Sequence, residues 1–299
     1  MRRTLISTLV AGLLTIMLSA CGGAAAVPPT VAPPPTATPA PTATPVPTAT
    51  PVPTAIADSK EALTSAFNQV KTAKAYEIAI RFKAKGALGQ GAPTTDPNQE
   101  IELLAMKGSI SGKNSQISLS GVLAGFLGAT DNKAVEFITL DGKNYIKGPV
   151  PLLNAPENKW YELPEGQSSP TSGFSSDQLL GSVQNDKLDL ASFSIAGAEK
   201  LDGKQCTIFK GDKAAIEKAF KDSQGGLPTG SFKEFTNADL RLWVCEDGYF
   251  RKMTLEIEGI AEGETEKATV KIEFLLSNFD GDITIKAPAD AVPLATPTK

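Results

Sequence analysis

Four Asp-Gly pairs, at 141–142, 202–203, 247–248 and 280–281, each stand between stretches in which apolar and polar residues alternate. Asp-Gly suits a two-residue type I′ turn, because both central residues need φ > 0 and the turn then matches the twist of its flanking strands. Counting outward from Asp141-Gly142 sets Phe137 opposite Ile146 and, on the other face, Glu136 opposite Lys147. From Asp247-Gly248, Leu242 falls opposite Met253 and Leu240 opposite Leu255. From Asp280-Gly281, Leu276 falls opposite Ile285. In each register one face stays largely apolar, which a random register would not produce. Four hairpins with consistent faces predict a large antiparallel sheet.

Helices punctuate the strands. Asp58-Ser59-Lys60-Glu61 reads as an N-cap with a capping-box partner, followed by Leu63, Ala66, Phe67, Val70 and Ala73 on one helix face. The period then switches to two. Tyr76, Ile78, Ile80, Phe82 and Ala84 form the apolar side of a half-buried strand. Ser175 or Ser176 can cap a second helix carrying Leu179, Leu180 and Val183. Asp212 can cap a third, with Ala215, Ile216, Ala219 and Phe220 on one face. Many strands and few helices, without βαβ alternation, predict an α+β fold with helices on one face of the sheet.

Ahead of this domain lie two zones of another kind. Met1-Arg2-Arg3 and an apolar run from Leu5 to Leu18 make a signal-peptide pattern, too short for a confident membrane span. It ends in Leu18-Ser19-Ala20-Cys21, which resembles the lipobox of bacterial lipoproteins. That resemblance implies cleavage before Cys21 and acylation of its sulfur, with several acyl chains giving durable membrane anchoring. From Ala24 to Ile56 the chain holds 11 of its 22 prolines, repeats Thr-Ala-Thr-Pro three times and carries no charge. Such a stretch cannot bury enough surface to fold. As polyproline II its 33 residues could extend roughly 100 Å, a stalk that lifts a domain off a membrane. The expected division is therefore a signal peptide over 1–20, a lipidated cysteine and stalk over 21–57, the folded domain over 58–290, and a disordered tail over 291–299.

Charge and composition narrow the function. The 299 residues contain no histidine, which removes Ser-His-Asp and Cys-His catalysis and histidine-ligated zinc or haem. Lys and Arg total 29 against 33 Asp and Glu, a balance of −4 that becomes 27 − 33 = −6 once Arg2 and Arg3 are cleaved away. This acidic chain lacks the basic footprint of nucleic-acid binding.

The order of pieces in the folded part is similar to that of the LppX/LprG-type bacterial lipoproteins, and more distantly to the carrier LolA and the sensor RseB. The stretches that carry the likeness are Asp141 through Pro149, Lys159-Trp160-Tyr161-Glu162-Leu163-Pro164, and Glu199-Lys200-Leu201-Asp202-Gly203-Lys204. Leu242 through Gly248 and the closing run from Leu276 to Pro288 complete it. Each is a generic strand–turn–strand; the likeness lies in order and spacing over about 58–290. It implies a curved antiparallel sheet, a half-barrel, wrapped over helices around an apolar cavity that binds acylated lipids or glycolipids. No catalytic motif, metal site or cofactor comes with it.

Cys206 and Cys245 remain once Cys21 is lipidated, and in an oxidising compartment they suggest a disulfide, with two buried free thiols as the alternative. The glutamates 256, 258, 262, 264 and 266 could pair for glycoside hydrolysis, but alternation puts most of them on a solvated strand face and hairpin tip. Asn278-Phe279-Asp280-Gly281-Asp282 lacks the glycine and glutamate positions of an EF-hand. Trp160, Tyr161 and Trp243 could stack sugars, with core packing the plainer reading.

The run Gly121–Gly128 fits neither the helix nor the strand period; it is apolar, uncharged and glycine-rich. Val122, Leu123, Phe126 and Leu127 could close over acyl chains against Ile80, Phe82 and Leu103, with Phe137 also expected in the lining. A loop tucked into the core edge is the alternative. The function expected from all this is an exported, membrane-anchored lipoprotein, monomeric and non-enzymatic, that carries or presents a lipid or other hydrophobic ligand. A displayed structural, interaction or envelope-sensing module with a solid core is the competing expectation.

Overall fold

The computed structural model describes residues 58–88, 98–125, 127, 134–165, 189–222 and 232–294. The helix expected after Ser175, the lipobox, the stalk and Phe126 lie outside the described residues. The first strands are β1 (Ala75–Lys85), β2 (Ile101–Ser111), β3 (Asn114–Ser120), β4 (Val135–Leu140), β5 (Lys143–Lys147) and β6 (Trp160–Glu162). The second set is β7 (Phe193–Leu201), β8 (Lys204–Gly211), β9 (Phe232–Cys245), β10 (Phe250–Ala261), β11 (Lys267–Ser277) and β12 (Val292–Pro293). All belong to one sheet, in the order β12-β6-β5-β4-β3-β2-β1-β11-β10-β9-β8-β7. Every pairing is antiparallel except β12 on β6. Among the described residues the α-helices are α1 (Ser59–Thr72), α2 (Val122–Gly125) and α3 (Lys213–Asp222). The expected α+β class with one large antiparallel sheet is the observed one.

Sequence chemistry accounts for the elements. The Asp58 carboxylate accepts the Lys60 and Glu61 amides at the start of α1, at 2.8 and 3.4 Å, satisfying donors that the helix itself leaves unpaired. At α3 the Asp212 carboxylate accepts from Ala214 and Ala215 at 3.0 and 3.2 Å, and Ile216 and Ala219 turn into the core. The apolar stripe of α1, Leu63, Ala66, Phe67 and Val70, is fully buried and rests on β7, β9 and β10. There Phe67, Phe250 and Phe274 form an aromatic file with centroids 4.9 and 5.8 Å apart. Burying a side chain of this size contributes about 2 kcal/mol.

The turns divide. Asp141-Gly142 and Asp202-Gly203 are two-residue turns with φ > 0 at both positions, as expected. Phe137 pairs Ile146, and Glu136 pairs Lys147 with a 2.7 Å ion pair. Around Asp247-Gly248 only Gly248 has positive φ. The Cys245 amide bonds the Tyr249 carbonyl, so three residues, Glu246 to Gly248, make the loop. A bulge at Arg251 then inserts one residue into β10. The two departures cancel, and Leu242 still faces Met253 and Leu240 faces Leu255, as expected.

No hairpin follows Asp280-Gly281, and Ile285 lies outside any strand. The reason is topological: β11 is already paired on both edges, by β1 and β10, so a returning strand has no free edge to join. Asp280 instead ties the chain to the α1–β1 junction. Its carboxylate accepts the Lys74 amide at 2.7 Å and its own amide donates to the Ala75 carbonyl at 2.7 Å. The fold also continues past the expected boundary at 290. Val292 and Pro293 pair with Tyr161 and Glu162, and Leu294 is buried.

Candidate functional site

Strand alternation gives the sheet two unlike faces. On the α1 side, Ile80, Leu103 and Phe137 are each 5% exposed or less and belong to one apolar cluster. Phe82, Leu123 and Leu127 pack against the same cluster. Six of the eight residues expected to line a ligand site are thus brought together. Val122 stands apart at 42% exposure, and Phe126 lies outside the described residues.

The Gly121–Gly128 run, which matched neither period, begins as the single helical turn α2 seated on β2 and β3. Gly121 makes this seating possible. Its φ is +94°, and a Cβ there would stand 2.9 Å from the Leu103 carbonyl oxygen and 3.0 Å from the Leu104 Cα. Only glycine tolerates both the angle and the approach. Ala124 then drops into the core while Val122, one turn edge away, faces solvent. The turn is a rim: half sealed to the sheet, half open.

On the opposite face a concavity of about 540 Å³ lies across β1, β11, β10 and β9. Its floor is polar. Asp239 accepts from Lys210 at 2.6 Å and from Arg241 at 2.7 Å, and these bonds, the Arg241 one foremost, hold its carboxyl below the usual aspartate range. Glu100 is lowered likewise by its bond to Lys83 at 3.0 Å, with Lys271 3.3 Å away. Trp243 sits at its margin, 5% exposed, with the Lys252 ammonium 4.7 Å over its ring.

Beneath Trp243, Cys206 and Cys245 face each other across β8 and β9 and are joined by the expected disulfide. Trp160 lies beside Lys147, 5.8 Å from its ammonium, and Tyr161 is buried. Glu258 is engaged by Lys267 at 2.8 Å and by the Thr236 hydroxyl at 2.9 Å, which keeps its carboxyl below the usual range. Among the described residues no three metal-ligating side chains cluster, and no helix is long and apolar enough to cross a membrane.

The polar groove escaped the sequence reading. Alternation marks Arg81, Lys83 and Glu256 as outward-facing, but β1 and β11 pair across nearly the whole domain, Glu77 with Ser277, and no local pattern announces that.

Fold and site together define an α+β domain built on one large open antiparallel sheet, apolar on its helix side and charged on the other. No family model matches the chain, and no curated protein matches it. Solved structures similar to it include the lipoprotein LppX of Mycobacterium tuberculosis, at 12% identity over 76% of this chain and 97% of that one, with TM-score 0.41. LprF of Mycobacterium bovis is similar at 15% identity over 77% and 97%, with TM-score 0.43. A LolA superfamily protein of Nitrosomonas europaea is similar at 8% identity over 74% and 93%, with TM-score 0.23. These are the kinds of protein that the order of strand–turn–strand pieces resembles.

Proposed function

We propose that this chain is an exported lipoprotein, anchored through Cys21, whose domain binds a lipid or other hydrophobic ligand at its apolar face and carries or presents it. One observation supports this above others. The apolar cluster spans the helix side from β7 to β6, whereas α1 rests mainly on β7, β9, β10 and the turn at 190–192. Over β2 and β3 the main described helical cover is α2, four residues long. Acyl chains suit such a face, since a hydrophobic site is lined mostly by apolar side chains with few polar groups to fix orientation. In this reading Val122, Leu123, Phe126 and Leu127 form the movable edge, and Ile80, Phe82, Leu103 and Phe137 the wall behind it.

The dense packing of Phe67, Phe250 and Phe274 under α1 favours a second reading, a stalk-mounted module with a solid core. Native mass spectrometry separates the two. The folded domain from Asp58 onward, exported behind an ordinary cleavable signal in place of the lipobox and stalk, should carry extractable lipid and run above the polypeptide mass. A bare polypeptide mass after gentle purification from the producing membrane would reject ligand binding and leave the solid module.

A further inference from the structure

The charged concavity has no part in lipid binding on the other face, and its chemistry is specific. Two rows of side chains cross its floor. In the first, Arg81 stands opposite Glu273, Glu273 opposite Thr254, and Thr254 opposite Arg241. In the second, Lys83 stands opposite Lys271, Lys271 opposite Glu256, and Glu256 opposite Asp239. Counting Glu100 at the mouth, four cations meet four carboxylates, and the groove is formally neutral. At about 4.8 Å per strand, four strands give a floor about 14 Å wide.

Such a surface disfavours a simple ion of either sign, because every row sets a like charge against it. It suits a ligand whose polar groups each donate and accept, since donors and acceptors stand side by side across the floor. Sugar hydroxyls have that property. Several positions are open to them: among the described residues the Arg81 and Asn237 side chains make no hydrogen bond or ion pair. A second observation points into the same groove. The Trp243 indole N–H is buried and has no acceptor among the described residues, a condition that buried donors rarely tolerate. The cation over that ring, Lys252, reaches its carboxylate partners Glu199 and Glu273 only at 4.0 Å, so it can swing aside at small cost. Doing so would bare the aromatic face over which it lies.

We infer that this groove binds a neutral oligosaccharide, with Arg81, Glu256 and Asn237 holding hydroxyls and Trp243 providing a stacking face and an N–H. The width fits a short chain of sugars rather than one. The inference stands apart from lipid binding, and either can fail without the other.

The test uses the full chain in detergent micelles with 15N-labelled indoles. Trp160 and Trp243 are its only tryptophans, so Trp160→Phe assigns the two resonances. Maltohexaose, cellohexaose and a mannohexaose are titrated to millimolar concentrations, with hexagalacturonate as the acidic control. At least one neutral hexasaccharide should move the Trp243 resonance and leave Trp160 in place. Arg81→Ala with Glu256→Ala, both exposed side chains, should weaken that binding by about tenfold or more at unchanged Tm. The site is overturned if no neutral hexasaccharide moves Trp243, if hexagalacturonate binds more tightly than all of them, or if the double variant binds as the parent does.

Discussion

The Arg251 guanidinium donates to the Asp247 carboxylate at 2.6 Å across the β9–β10 hairpin, and Arg251 is the one charged side chain that is buried among the described residues. The contact follows from the bulge. The extra residue in β10 leaves Phe250 and Arg251 both turned inward, and the cation lands 5.0 Å from the Phe279 ring. Tyr249 stacks on that ring at 4.0 Å and donates its hydroxyl to Asp280 at 2.8 Å, while Gln69 of α1 donates to the Asp247 carbonyl at 2.9 Å. One residue out of register thus locks α1, the hairpin and the end of β11 together.

Removing the cation should therefore be costly. Arg251→Ala leaves Asp247 part-buried with Lys204 as its remaining ion-pair partner, at 3.3 Å, and strips the packing from Phe279. The expected loss is about 3 kcal/mol, the range for breaking a buried pair from one side. Arg251→Met keeps the apolar stem and should cost clearly less. Urea denaturation measures both. A loss below about 0.5 kcal/mol for the alanine variant would show that the cluster does not hold the hairpin.

The same cluster sets an acid limit. Burial alone would raise the Asp247 pKa, but the Arg251 bond and charge, the Tyr249 amide and Lys204 outweigh it and hold the carboxyl below its usual range. A depressed folded-state pKa gives stability that is complete above the unfolded-state value near 4 and is lost as pH falls through the folded-state value. Glu100 and Asp239 are depressed as well, so stability should be level above about pH 5 and fall steeply below about 4. Asp247→Asn should make that fall shallower. An unchanged slope in urea midpoints across this range would contradict the assignment.

The turns show how far local chemistry carries. Asp141-Gly142 and Asp202-Gly203 behave as dipeptides because both residues adopt φ > 0 and the flanking strands have free edges to meet on. Asp247-Gly248 keeps its expected register only because a longer loop and a bulge offset each other, which alternation counts cannot detect. Asp280-Gly281 fails because β11 has no open edge, a consequence of its pairing with the distant β1, Glu77 with Ser277, and so of topology alone. The apolar face was legible for the same reason the strands were: a period of two marks Ile80, Phe82 and Phe137 directly. The polar groove needs the order of four strands, and the seat of α2 needs a close backbone approach at Gly121. Neither leaves a local trace.

The Cys206–Cys245 bridge closes a segment with a sequence separation of 39. In the chain-entropy account, that closure stabilises by about 4 kcal/mol through the unfolded state. Reduction, or Cys206→Ala with Cys245→Ala, should lower stability by up to that amount while β8 and β9 remain paired through their backbone ladder. Thiol titration of the denatured, unreduced chain should find neither cysteine free. Two reactive thiols there would refute the bridge.

In the proposed reading, anchoring rests on Cys21. Cys21→Ser should abolish labelling by a clickable fatty acid and leave an unprocessed precursor, because the hydroxyl cannot carry the thioether-linked diacylglycerol that the lipobox resemblance implies. Continued acylation of that variant would remove the lipoprotein reading.

The proposed function makes the turn at α2 the movable edge of the ligand site, and two neighbouring substitutions test this. Val122 is 42% exposed and Ala124 is 1% exposed, although only Leu123 separates them. Val122→Asp places a carboxylate in solvent and should change stability by no more than about 0.5 kcal/mol. If acyl chains pass that edge, the new charge must be desolvated as they enter, and lipid retention should fall. Ala124→Asp puts an unpaired carboxylate into the core at β2 and β3, and should cost about 3 kcal/mol or prevent folding. The pair is informative because the two changes share chemistry and differ only in depth. Loss of lipid with Val122→Asp at unchanged Tm would place the entrance at α2. Full lipid retention in that folded variant would move the entrance elsewhere on the sheet, and a large Tm loss would show that Val122 belongs to the core rather than to a rim.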